Sequence, residues 1–318
     1  MDNITHSLVG ALVGQAGLKR RTGLAMPALV IGANLPDIDA ACFFWLEGAG
    51  HLGFRRGITH GPIAWAVLPL LLAAALWWLD RWQEKRGTRP EARAPVDFSW
   101  LYWLSLIGCL THPALDWLNV YGIRIFAPFS DRWFYGDTLF IVDVWLWALL
   151  GFSLWRSLRR DKREGPGRGE LVAQVALGLM LLYVAFNGLV SDYAAYHKSK
   201  LYDPEPEIAI ASPVPLFFWQ RERIIRTDDG RWYSSEWEGQ PFGNGYHAPL
   251  AEVCRMPDDA AEASEEARAF LFWSRAPFAE KAPDGSVILR DARFYDPRAR
   301  DRFSVALPDH ECEELPAP

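Results

Sequence analysis

The sequence predicts a mostly α-helical, multi-pass transmembrane bundle of four to six membrane segments with a C-terminal β-rich soluble domain. Three features predict it. First, the stretches 62–79 and 171–190 are apolar and each as long as a bilayer core requires of a helix. Second, charge divides unevenly: residues 1–199 hold 19 of the 33 Lys+Arg and 16 of the 39 Asp+Glu, which leaves 200–318 strongly acidic. Third, after Val190 the long apolar runs give way to prolines, turn dipeptides and short β-type stretches. The expected division is therefore 1–199, embedded in the membrane, and 200–318, soluble.

Taken in order, the chain opens with two shorter apolar runs, 4–18 and 23–35, split by Lys19, Arg20 and Arg21. As a helix the first run reaches about 22 Å, short of a hydrocarbon core roughly 30 Å thick, so this pair is expected to be tilted, re-entrant or shielded. The N-terminus does not read as a signal peptide. Its first charge is Asp2, and its basic cluster follows the apolar run. Stretches 100–118 and 139–155 are further membrane segments, apolar and aromatic but carrying polar residues.

If the segments alternate, one side collects Lys19, Arg20 and Arg21, then Arg81 to Arg93, then Arg156 to Arg168, fourteen cations in all. The other side collects only Arg55, Arg56, Arg124 and Arg132. The excess of Lys and Arg marks the first side as cytoplasmic. Both termini then face away from the cytoplasm, and the protein is expected in the inner (cell) membrane with its C-terminal domain outside.

In the second half, Pro204, Pro206, Pro213 and Pro215 read as a linker, and 217–227 and 231–237 flank the hairpin signal Asp228-Asp229-Gly230. Strands are expected at 286–295 and 302–307, and a helix at 260–272. Cys254 and Cys312 can pair if this half meets an oxidising compartment, whereas Cys42 and Cys109 read as small hydrophobes. The acidic tail carries no dense basic patch, so nucleic acid is not expected as a partner.

Ionisable groups inside apolar segments are costly and serve as functional candidates. Here they form a set: Asp2 and His6; Asp37 and Asp39 just past a helix end; His60 at the mouth of a span, preceded by Arg56; and His112 with Asp116, four apart on one helix face. Asp131, Asp137 and Asp143 follow in or beside the next outer loop. Singly, each has a bland reading as a buried core histidine, a helix cap or a headgroup contact. Together they are less easily dismissed. An orientation derived from Lys and Arg alone puts His6, Asp37, Asp39, His60, His112 and Asp116 on one side of the membrane. Three imidazoles with several carboxylates and no nearby cysteine suit zinc, with manganese as an alternative, in one or more ions. A serine nucleophile, a phosphate-cradling loop and a dinucleotide fingerprint are all absent from the sequence.

With these residues named, the stretch from 1 to about 145 resembles the YdjM-type family of inner-membrane metal-dependent hydrolases. The matching pieces are Asp2-x-x-Thr5-His6, Pro36-Asp37-x-Asp39, Arg56-x-x-Thr59-His60 and His112-x-x-x-Asp116, with Pro128-Phe129-Ser130 and Asp143 beyond. Their order is also distantly similar to that of the zinc phospholipase C and P1 nuclease superfamily, which implies phosphoester cleavage at a zinc site. This chain departs from those enzymes in lacking a processed N-terminus and in having fewer histidines after His112. The expectation is a metal-dependent hydrolase acting on a lipid or lipid-linked phosphoester at the outer membrane interface. His6, Asp37, Asp39, His60, His112 and Asp116 would bind metal. Asp37 and Arg56 are the catalytic candidates, as proton acceptor and anion-steadying group. Two rival expectations are a non-catalytic scaffold with a structural metal and a cation or proton transporter. The transporter would need polar residues through the depth of the bundle, and 171–190 offers little beyond Gln174 and Asn187.

Overall fold

The computed structural model describes residues 1–197, 206–228, 230–235, 247–249 and 253–315. Pro204 of the expected linker, Asp229 of the expected turn and the last two residues of the 231–237 stretch lie outside them. Contacts group the chain into two compact units: Met1–Ile38 with Arg56–Gly188, and Asp39–Arg55 with Leu189–Pro318. Segment 39–55, placed by sequence in the first half, is thus grouped with the second.

The first unit is helical, built from α1 (Asn3–Gln15), α2 (Ala25–Gly32), α4 (Pro62–Lys85), α5 (Phe98–Trp117), α6 (Val144–Glu164) and most of α7 (Glu170–Asp192). Local chemistry fixes where they start. Asp2 caps α1 by accepting from the backbone N–H of Ile4 and Thr5, Asp97 caps α5 through Trp100 and Asp143 caps α6 through Leu146. Pro62 opens α4, where its missing N–H costs nothing. α1 and α5 both close tightly on α2. A Cβ at Gly10 would come 2.8 Å from the Leu29 carbonyl oxygen, and one at Gly108 would meet the same oxygen at 2.5 Å. Glycine at these two positions is what allows three helices to carry side chains into one small volume.

Two apolar clusters complete the unit. Leu29, Leu72, Ala73, Leu101 and Leu104 join α2, α4 and α5; Leu12, Leu115, Leu146, Leu150 and Ala173 join α1, α5, α6 and α7. Helices α4 and α7 present leucines outward, with Leu71, Leu181 and Leu182 all exposed, the mark of a surface solvated by lipid rather than water.

Among the described residues, two helices are long and apolar enough to cross a membrane: Pro62–Lys85, with a mean hydropathy of 1.9, and Glu170–Ala195, with 1.8. A third is added if the bent pair Ala25–Gly32 and Leu35–Phe44 counts as one span. This is a membrane protein with two to three candidate spans of that kind. The expected extra segments at 100–118 and 139–155 are helices α5 and α6, whose polar and charged residues keep them below that standard. Leu139 to Asp143 precede α6 rather than belong to it.

The second unit carries two four-stranded antiparallel sheets and a helix. One sheet has the order β1 (Ile208–Pro213), β2 (Arg221–Arg226), β3 (Trp232–Ser235), β4 (His247–Pro249). The other runs β5 (Val253–Cys254), β6 (Pro277–Lys281), β7 (Ser286–Asp291), β8 (Ser304–Glu311). Ile210, Ile224 and Trp232 of the first pack with Ala276, Phe278 and Ala292 from the second, so the sheets share a core. Cys254 and Cys312 form a disulfide. Helix α8 (Glu265–Trp273), capped by Ser264, packs against the short helix α3 (Gly50–Phe54), where Gly53 meets Ala269 closely.

Candidate metal centre

Polar contacts sort the helix ends of the first unit into two sets. At one end Lys19 pairs with Asp161, Arg20 with Glu170 at 3.0 Å and Arg93 with Asp80 at 2.9 Å. The first two tie the residues after α1 to the end of α6 and the start of α7, and the third ties the loop before α5 to the end of α4. At the other end lie the start of α1, the end of α2, the turn before α4, the end of α5 and the start of α6. The histidines meet there. His6 stacks on His112 with ring centroids 3.8 Å apart, and His60 stands edge-on to His112 at 5.0 Å.

Asp116 is the hub. Its Oδ1 faces His6 Nε2 at 3.3 Å and contacts the Met1 amino group. Its Oδ2 lies 3.6 Å from both His60 Nε2 and His112 Nε2. Asp37 Oδ1 completes the set 3.7 Å from His112 Nε2. Two overlapping groups could each hold an ion: His6, His112 and Asp116, and Asp37, His60 and His112. The three imidazoles and Asp116 are fully buried.

Neighbouring groups orient these donors. His112 Nδ1 is 2.7 Å from the Ala33 carbonyl oxygen, which can only accept, so Nδ1 carries the proton. In the neutral ring Nε2 is then a lone pair. Thr59 Oγ1 lies 2.9 Å from His60 Nδ1 in the corresponding place. Such a second contact on a ligating imidazole sets its tautomer and aim.

The residues fit a metal. His112 Nε2 makes no hydrogen bond, and carboxylate oxygens, which accept and do not donate, face it at 3.6 and 3.7 Å. Acceptors facing one another across 3.6–3.7 Å are too far apart to hydrogen-bond and repel unless a cation lies between them. Bonds of about 2.0–2.2 Å in a tetrahedral arrangement set donors roughly 3.3–3.6 Å apart, close to the spacings found.

Of the six ligands expected from sequence, five come together: His6, Asp37, His60, His112 and Asp116. Asp39 belongs to neither group. It lies in the second unit, where Arg55 Nε is 3.5 Å from its Oδ1. Arg56, expected to face an anionic substrate, is buried with its Nε 2.9 Å from Asp116 Oδ2. Its Nη1 donates to Asn119 Oδ1 at 3.0 Å and to the Gly122 carbonyl, and the guanidinium lies 4.5 Å over the Tyr121 ring. Arg56 thus holds the hub carboxylate in place. Asp2 is a helix cap that also receives Trp147 Nε1 at 3.2 Å. Asp143 caps α6 and accepts from the Tyr183 hydroxyl at 2.9 Å. Asp131 is exposed, and neither it nor Asp137 joins either group. Sequence reasoning missed Asn119 and Tyr121. The signal available was a polar residue three positions beyond Asp116 in an otherwise apolar helix end.

The family model described as YdjM inner membrane protein matches residues 1–193, every ligand-type residue of the centre included. The chain belongs to that family. Among curated proteins, the "Uncharacterized protein YfhP" of Bacillus subtilis (strain 168) is 29% identical over 141 residues, which cover 42% of this chain and 39% of that protein. No solved structure matches. In this YdjM-family chain the helical unit thus carries both the family signature and His/Asp groups able to bind a metal.

Proposed function

We propose that the protein is a membrane-bound metal-dependent hydrolase acting on a lipid or lipid-linked phosphoester at the outer membrane interface. The observation that carries this reading is that the Ala33 carbonyl takes His112 Nδ1, while His112 Nε2 faces carboxylate oxygens of Asp37 and Asp116 at 3.6–3.7 Å, too far for a hydrogen bond. Because Nδ1 is committed to Ala33, one Nε2 lone pair serves both overlapping groups. His6, Asp37, His60, His112 and Asp116 would hold one ion, or two that share this donor set. Three nitrogens and two carboxylates favour zinc, with manganese as the alternative. Such an ion supplies Lewis acidity toward a phosphoryl or acyl oxygen and toward the attacking water.

The chain's own residues do the rest. Arg56 and Asn119 fix Asp116, and the Ala33 carbonyl fixes His112. Asp37 alone among the donors keeps measurable exposure, its side chain 13% accessible, so it is the carboxylate placed to take a proton from water and pass it outward. In this reading α1 with α2, α4, α5, α6 and α7 make up to six membrane segments. The end rich in Lys and Arg is cytoplasmic, and the centre and the soluble domain lie on the opposite side. The Cys254–Cys312 disulfide supports that side, because disulfides persist in oxidising compartments. Lipids are the proposed partners, since the donors lie at helix ends, where headgroups are found.

One observation favours a second reading, a structural ion: four of the five donors are wholly enclosed. A single experiment separates the two. Detergent-purified protein is analysed for bound metal and assayed on phosphoesters and lipid esters, beside His112→Ala/Asp116→Ala. The hydrolase reading expects stoichiometric zinc or manganese with turnover, both lost in the variant. Metal without turnover selects the structural reading; no metal, or full turnover in the variant, overturns both.

A further inference from the structure

The end of the helical unit opposite the metal centre contains a cavity of about 480 Å³. Pockets that hold small ligands span roughly 300–1,000 Å³, so this one is large enough for a headgroup. It is lined by Ala16, Gly17, Leu18, Arg20, Arg21 and Glu170, all within the helical unit. The local sequence builds it. α1 ends ahead of Gly17, whose φ of +127° is closed to most side chains, and the short 3₁₀ turn Leu18–Arg20 follows. That break sets three small or apolar residues close to two consecutive arginines.

Several cations at this end are already committed. Lys19 pairs with Asp161, Arg89 and Arg93 with Asp80, and Arg160 with Glu164. The two in the cavity keep donors to spare. Arg20 meets Glu170 through Nη2, at 3.0 Å, which leaves its Nε and Nη1 protons unused. The Arg21 side chain makes no hydrogen bond or ion pair among the described residues. Its guanidinium lies 4.8 Å over the Trp100 ring, a contact that occupies none of its N–H groups. Two guanidiniums beside one carboxylate leave the lining with a net positive charge.

Depth is set by α7. Glu170 is the first residue of the candidate span Glu170–Ala195, and Leu171 next to it is 64% exposed. A cavity walled by the first residue of a span lies where phospholipid headgroups lie.

We infer that this cavity is a binding site for the phosphate of an anionic phospholipid headgroup. Guanidinium forks match phosphate oxygens in charge and geometry, and basic pockets between membrane helices suit anionic headgroups. Arg20, oriented by Glu170, and Arg21, oriented by Trp100, supply the donors. Their net positive charge favours a lipid of net negative charge over a zwitterionic one. The inference rests on α7 crossing the membrane and is independent of the metal centre and of any hydrolase activity.

The test is native mass spectrometry of the full chain in a non-ionic detergent, titrated separately with phosphatidylglycerol, phosphatidylcholine and inorganic phosphate. The variant is Arg20→Ala/Arg21→Ala. Its control is Arg86→Ala/Arg159→Ala, which removes two guanidiniums from the same end outside the cavity, where they lie over Trp82 and Trp155. Phosphatidylglycerol should bind the unaltered chain more tightly than phosphatidylcholine does. Its affinity should fall about 10-fold or more in the variant and hold in the control. Equal losses in variant and control would mean diffuse attraction to a charged surface. Equal affinity for the two lipids would remove the charge preference, and binding of inorganic phosphate without either lipid would make the ligand a soluble anion. Each of these overturns the assignment. Arg21→Ala alone, which breaks no side-chain hydrogen bond, guards against a folding defect in the double variant and should weaken phosphatidylglycerol in the same direction.

Discussion

Two buried acidic clusters among the described residues, one in each unit, are built on opposite terms. In the β-sheet unit Asp291 takes Arg293 Nε and Nη2 at 2.8 and 2.7 Å and the Ser274 hydroxyl at 2.5 Å. Both side chains are fully buried, and Trp273 lies 4.8 Å under the guanidinium. Every oxygen there faces a proton. Burial alone would push the Asp291 carboxyl up, but Arg293 and the Ser274 hydroxyl outweigh it and hold the carboxyl below its usual range. In the helical unit the Met1 amino group and Arg56 engage the two oxygens of Asp116, while His112 Nε2 faces carboxylates of Asp37 and Asp116 beyond hydrogen-bond reach. The first cluster is closed by its own protons; the second also offers imidazole and carboxylate donors that could hold a cation. Burial and charge alone do not distinguish a structural ion pair from a metal site. The direction in which the protons point does.

That contrast can be broken or sharpened by measurement. The largest expected effect is in the closed cluster. Asp291→Ala strands Arg293 in the core and should destabilise the β-sheet unit by about 3–5 kcal/mol, read by denaturant unfolding, with no rescue by added metal. In the open cluster, metal at roughly a hundred times its dissociation constant should stabilise the helical unit by about 2.7 kcal/mol. Thermal unfolding with and without zinc checks this, and an equal shift in His112→Ala would refute it. Removing the hydroxyl beside His60 by Thr59→Val should weaken metal binding between about 10- and 100-fold while leaving the fold intact, measured by chelator competition.

The smallest effect is in acid. A carboxyl held below its unfolded value contributes stability that is fully present above that value and lost as pH falls through the folded one. The Asp291 contribution should therefore decline below about pH 4, and Asp291→Asn should flatten the acid limb of the β-sheet unit's unfolding profile.

The sequence made particular pieces of this legible. The spans at Pro62–Lys85 and Glu170–Ala195 stood out because twenty apolar residues have few other physical meanings. The C-terminal strands after Asp284-Gly285 and around Trp232 followed from turn chemistry. β1 and β6 escaped notice because proline flanks them and they are recognisable only by their partners. His6, His60, His112 and Asp116 were legible because a polar group in an apolar helix is expensive and so rarely accidental.

Other points were not in the sequence. Asp37 and Asp39 are chemically alike and two residues apart, yet one faces His112 and the other Arg55. Both lie on the 3₁₀ helix Leu35–Phe44, where residues two apart point to different sides. Arg56 read as a group to steady an anionic substrate, and only the fold shows it buried with its Nε on Asp116. Composition and spacing determined that donors of these kinds sit at one end of a helical bundle, since periodicity and the cost of burying charge are properties of the chain alone. Which lone pairs face one another was decided by tertiary structure, because that depends on a carbonyl at Ala33 and close helix contacts at Gly10 and Gly108, distant in sequence and without any local signature.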